Sequence, residues 1–193
     1  MKKLSLKTKK VKVIPFNKLS PSQKRIAIAK DVLQQLKTKK YTAQNSAYIK
    51  DVKMLDGATI TDYDDSRFWD IQEKFEKIKN CKVCALGACL MSATKFVNKL
   101  KFNNVLSVFE LKRSENVKSI FTEIFSSEQI LLIETAFESD NGDMKYGKEA
   151  LHKNIDTEDI HKCNKFYSKY KKDESRMIAI MKNIITNNGI FKP

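Results

Sequence analysis

Cys81-Lys82-Val83-Cys84 is a C-x-x-C pair, and His161 and Cys163 supply two more side chains of a kind that ligates metals. Thiolate and imidazole at such spacings suit a tetrahedral zinc site, which usually joins two turn-borne pairs. Here the second pair is His-x-Cys on a predicted helix, with no turn glycine after it, so neither a metal nor any other cofactor is assigned. Cys84, Cys89 and Cys163 are read instead as small apolar core residues. No βαβ pattern surrounds the pair, which sets aside a thioredoxin-like role. Asp62, Asp64, Asp65 and Asp70 gather around Trp69. Their carboxylates could hold a divalent cation, but the same residues favour a turn and the positive end of the helix that follows. Asp140-Asn141-Gly142-Asp143 lacks the alternating ligands and closing Glu of a calcium loop.

Acid–base or nucleophilic catalysis has little to work with. His152 and His161 are the two histidines, and neither belongs to a nucleophile motif such as G-x-S-x-G. No P-loop or G-x-G-x-x-G occurs, and five glycines in 193 residues leave little material for a phosphate-cradling loop. No catalytic residue is assigned, and an enzyme acting on a nucleotide is the third of three functional readings.

Charge is the stronger signal. Of the formal +14, residues 1–53 contribute +13, with 15 Lys and Arg against Asp31 and Asp51, while residues 54–193 are nearly neutral. A concentrated positive field attracts polyanions or phosphate-bearing ligands. The candidate ligand-binding residues are Lys9, Lys10, Lys12, Lys24 and Arg25, with Tyr41 and Tyr48 as aromatic platforms for a base. A nucleic-acid surface would add Lys39, Lys40 and Phe16. Arg25, Arg67, Arg113 and Arg176 are the four arginines, so the fork that reads guanine edges is scarce. Lysine abundance alongside Asn and Ile is also what AT-rich coding produces.

These side chains need elements to position them. Apolar residues at 41% and charged residues at 31% describe a globular protein, and the longest apolar run, Val83–Met91, is too short to cross a bilayer. No membrane partner is expected. Met1–Leu19 lacks the apolar core of a secretory signal, so a cytoplasmic location with reduced thiols is expected. Residues 1–19 form a basic arm or edge strand, with Val11, Val13 and Phe16 alternating with polar residues. Residues 20–193 form one helical domain. Ser20-Pro21-Ser22-Gln23 is a capping box that opens a helix to about Lys37. Residues 39–65 lose periodicity, apart from a short strand near Ala58–Ile60. Phe68, Ile71, Phe75 and Ile78 stripe a helix ending near Asn80, and residues 82–100, apolar nearly all round, predict a central helix. Further stripes follow Ser114, Ser126, Thr157 and Asp173, and Asn188-Gly189 stops the last helix. The expected fold is mainly α, a compact multi-helix bundle around the central apolar helix with a short extended N-terminal arm.

The segments CKVCALGACLMS (81–92), FSSEQILLIETAFE (125–138) and DESRMIAIMKNIITNNGIFKP (173–193) resemble a family of small uncharacterised proteins of tailed bacteriophages. The resemblance covers roughly residues 20–193 and assigns no site residue. It implies a phage accessory protein in the host bacterial cytoplasm, of a kind that commonly counters antiviral defence. The leading expectation is therefore a non-catalytic protein that binds and sequesters an anionic, nucleotide-derived immune signal, as a monomer or a homo-oligomer. The alternative is a nucleic-acid-binding accessory protein that uses the basic N-terminal surface.

Overall fold

A computed structural model gives the fold and describes residues 14–46, 48–60, 75–97, 123–138 and 156–193. Lys9, Lys10 and Lys12, most of the N-terminal arm, the acidic cluster around Trp69 and the Asp140–Asp143 turn lie outside the described residues.

Ser20 begins the first helix as its pattern predicts. Its Oγ accepts the Gln23 N–H at 3.3 Å while Gln23 Oε1 accepts the Ser20 N–H at 3.0 Å, which satisfies two donors that the first turn would otherwise leave open. Helix α1 (Pro21–Lys37) then buries Ile28, Ala29, Val32 and Leu36. Lys39, at φ 60°, turns the chain into strand β1 (Tyr41–Ala43). Strands β2 (Ile49–Met54), β3 (Thr59–Ile60) and β4 (Ile78–Val83) complete a sheet of order β1-β4-β2-β3. In it β4 runs parallel to β1 and antiparallel to β2, and β2 and β3 form a hairpin.

A single residue, Cys84, separates β4 from helix α2 (Ala85–Phe96), and its Sγ caps the helix by accepting the Gly87 N–H at 3.4 Å. Every residue of α2 from Ala85 to Thr94 is buried. The inner face of the sheet, carrying Tyr41, Ile49, Val52, Met54, Ile60, Ile78, Cys81 and Val83, closes the same core. Helix α1 and helix α3 (Ser127–Glu138) pack on α2, helix α4 (Thr157–Lys169) packs on α3, and helix α5 (Asp173–Thr186) packs on α1 and α3.

The expectation of a mainly α bundle is thus corrected. The chain is a mixture of α and β, with a four-stranded mixed sheet and five α-helices among the described residues. Two features account for the difference. The stripe through Phe75 and Ile78 predicts a helix, yet residues 75–77 form one 3₁₀ turn and Ile78–Val83 is a strand inside the sheet. The apolar run from residue 82 merged the end of that strand with α2, because a buried strand and a buried helix are equally apolar and periodicity alone cannot separate them. The short strand expected near Ala58–Ile60 is present as β3.

Residues 187–193 are held by side chains in place of a partner strand. Gln129 donates to the Phe191 carbonyl at 3.1 Å and accepts the Phe191 N–H at 2.6 Å, and Asn183 does the same for Lys192 at 2.6 and 2.9 Å. Phe191, 1% exposed, thereby enters the core beside Phe166.

Gly87 is the tightest point of the fold. A Cβ built there would stand 1.7 Å from the Tyr48 carbonyl oxygen, so the backbone before β2 rests directly on the first turn of α2. Two stretches of backbone would have to part to admit a methyl group. Gly87→Ala is expected to cost about 3 kcal/mol or more, lowering the melting temperature by roughly 6–12 °C; thermal unfolding followed by circular dichroism checks this.

Candidate functional site: a lysine face on the sheet

Strand β2 reads Ile49-Lys50-Asp51-Val52-Lys53-Met54, and its buried residues fall at 49, 52 and 54. Simple alternation would put Ile49 and Val52 on opposite faces. The register shows why it does not: Lys50 is opposite Lys82, but Lys53 is opposite Asn80, so β2 spends one residue more than β4 over this interval. That residue is Asp51, at φ 49°. From Lys53 to Met54 the excess reverses, because Met54 is opposite Ile78 and Lys79 is the extra residue on β4. The two shifts cancel, and the inner face stays apolar throughout.

Their effect on the outer face is chemical. Lys50 and Lys53, three apart, are both exposed, and Lys79 and the half-exposed Lys82 join them. Four lysines stand on two paired strands against one acid, Asp51, which Lys82 reaches at 2.8 Å. That hydrogen bond holds the Asp51 carboxyl below its usual range. Lys50 and Lys82 are direct cross-strand neighbours, an arrangement of like charges that destabilises a sheet. Exposed Thr42 and Thr59 flank the patch and add hydroxyl donors.

The described residues of the sequence-predicted site do not converge on a common point. Lys24 places its Nζ 6.0 Å from the centre of the Phe16 ring, which itself stacks on Phe96 at 4.7 Å. Arg25 is part-buried and donates to the carbonyls of Gly189 and Ile124, so its guanidinium ties α1 to distant parts of the chain. Tyr41 is 1% exposed, with its hydroxyl 3.4 Å from Ser92 Oγ inside the core. The Tyr48 hydroxyl is buried beside Cys84 and Glu134. The Tyr41 ring offers no face on which a base could stack, while Tyr48 is partly buried against the core. The lysines of the outer sheet face were missed, although a signal existed: the i, i+3 spacing of Ile49 and Val52 inside a strand-like segment marks an inserted residue.

All four cysteines are buried free thiols. Burial pushes the Cys81, Cys89 and Cys163 thiols up to about 12 and raises Cys84 strongly as well, which keeps them protonated and poorly nucleophilic near neutrality. Cys163 Sγ lies 3.4 Å from the Leu132 carbonyl and donates to it. Among the described residues no three His, Cys, Asp or Glu side chains gather as a metal site would require. No described helix is long and apolar enough to cross a membrane.

Compared with protein-family models, curated proteins and solved structures, the chain gives no match. The class of site is therefore defined by its own geometry, an open cationic sheet face.

One substitution separates a structural from a binding role for that face. Lys50→Glu replaces a like-charge cross-strand pair with an ion pair opposite Lys82. It is expected to raise stability by about 0.5 kcal/mol while weakening the binding of any polyanion to the patch. Urea unfolding and a binding titration on the same preparation read both effects.

Proposed function

We propose that the protein is a non-catalytic binding protein for a phosphate-bearing polyanion, a nucleic-acid backbone, which docks on the outer face of the sheet. The observation that carries this reading is the pair of compensating register shifts, which brings Lys50, Lys53, Lys79 and Lys82 out together while leaving the core face intact. Four lysines on two paired strands can meet several phosphates and supply attraction without base readout. The scarcity of arginine points the same way, toward backbone contact without sequence preference. Asp51 acts as an internal counterion that the ligand's phosphates must displace from Lys82. The resemblance to small phage proteins supports an accessory role in an infected bacterium.

The reading makes a quantitative statement about salt. Neutralising about four phosphates of duplex DNA gives a slope of log K against log salt of about −3 to −4. Fluorescence anisotropy with a labelled random duplex and a labelled single strand, from 50 to 300 mM salt, measures it. Lys82→Glu should reduce affinity and flatten the slope. Absence of binding at 50 mM salt, or equal affinity in wild type and Lys82→Glu, refutes the reading. Tight, nearly salt-independent binding of a cyclic or ADP-ribose-type nucleotide would do so in favour of signal sequestration.

A further inference from the structure

Two Asn-Gly pairs occur in the sequence, Asn141-Gly142 and Asn188-Gly189, and the second stands where helix α5 stops. In a flexible chain the side-chain amide of such an Asn is easily lost, because glycine, lacking a Cβ, lets its backbone nitrogen swing onto the preceding side chain. That nitrogen, once it has given its proton to solvent, attacks the Asn Cγ. The Cγ–Nδ2 bond breaks, and ammonia leaves with a proton taken from water. Water then opens the cyclic imide at either carbonyl and leaves aspartate or isoaspartate. The balance is one water taken up and one ammonia released, with no oxidant or reductant.

At position 188 the fold holds the reacting atoms apart. Asn188 takes φ 54° and Gly189 φ 85°, both in the left-handed region. The peptide group that joins them is engaged at both ends: its N–H donates to the Ile184 carbonyl at 2.7 Å, and its oxygen accepts from Ser22 Oγ on α1. The following carbonyl, that of Gly189, accepts from Arg25 Nε. The turn also lies directly on α1, since a Cβ on Gly189 would collide with the Ser22 carbonyl. Attack requires the opposite arrangement, an N–H released from Ile184 and a peptide plane free to rotate toward Cγ. The side chains that fasten the segment are those of Gln129 and Asn183, with Asn187 bonded to Asn183. Asn188 contributes its main chain to the clamp, and the residue is exposed to the water that the reaction consumes.

We propose that Asn188 is a deamidation site gated by the C-terminal clamp: the reaction proceeds only in chains whose 187–193 segment has opened, and isoaspartate at this position makes the opening permanent. Isoaspartate routes the main chain through the former side chain and lengthens it by a methylene, and the carbonyl that Ser22 held becomes a free carboxylate. Gly189 then no longer meets Ile184 and Arg25 in register. Phe191, 1% exposed in the intact chain, loses the tether that brings it to Gln129 and into the core. Each chain that has unfastened is thus recorded in covalent form. The chemistry needs water alone and is independent of the lysine face.

Peptide mapping of the full chain, held at one mildly alkaline pH either folded or unfolded in urea, reads the modification at 188 apart from that at 141. The ratio of the unfolded to the folded rate is the protection that the fold gives Asn188. It should equal the hydrogen-exchange protection factor of the Gly189 N–H at the same pH, because one local opening exposes both. Ser22→Ala removes one bond from the clamp and should raise both folded-state rates about fivefold, the worth of an ordinary hydrogen bond. The isoaspartate-containing fraction, separated by its added negative charge, should have lost protection at the Phe191 N–H. Equal rates in the folded and unfolded chain, no modification in urea, or protection factors that differ by more than an order of magnitude overturn the proposal. So does an unchanged rate in Ser22→Ala, or an isoaspartate chain with Phe191 still protected.

Discussion

Helix α2 is buried on every side, and the other described elements are arranged by the need to cover it. A helix with one apolar stripe needs one neighbour, but a helix apolar all round must be enclosed. One layer comes from the inner face of the sheet and the other from α1 and α3, which α5 in turn covers. The enclosure also explains why the chain tolerates so close an approach at Gly87. With β4 entering α2 through Cys84 alone, the backbone of residue 48 has to cross the first turn of the helix to reach its place beside β4.

This enclosure leaves the sheet with one face to water, and the lysines occupy that face. A regular β2 would have turned either Lys50 or Lys53 inward, where an unpaired ammonium is far more costly than a local irregularity. Placing Asp51 in a left-handed conformation therefore serves two ends: it keeps Ile49 and Val52 in the core, and it supplies the acid that partly offsets Lys82. The like-charge neighbours Lys50 and Lys82 are then the one feature of this face that stability does not explain and that the proposed ligand would account for.

Some of this was legible in the residues. The capping box at Ser20, the glycine stop at Gly189, the core role of the cysteines and the enclosed character of residues 85–94 all follow from local chemistry, and local chemistry is what a sequence displays. The sheet was hidden because its strands are short, because β4 abuts α2 with no turn residues between them, and because paired irregularities erase the alternation that marks a half-buried strand. Tyr41 and Tyr48 read as stacking platforms on residue type alone, but whether a ring faces water depends on contacts with Ser92 and α2, which lie more than 35 positions away. The total positive charge was visible, but the way it is gathered depends on which strand lies beside which.

The clamp on residues 187–193 has a bearing on how the chain reaches this state during synthesis. Ser22 and Arg25 bond the carbonyls of Asn188 and Gly189 across 166 and 164 positions, and Phe191 fills a place in the core that Gln129 prepares. Contacts of such separation close late, since the entropy of the intervening loop must be overcome before they contribute. A nascent chain lacking residues 188–191 would lack one of the segments that tie α1 to α3. The core is therefore sealed only after this segment has left the ribosome, and until then the place that Phe191 fills stays open.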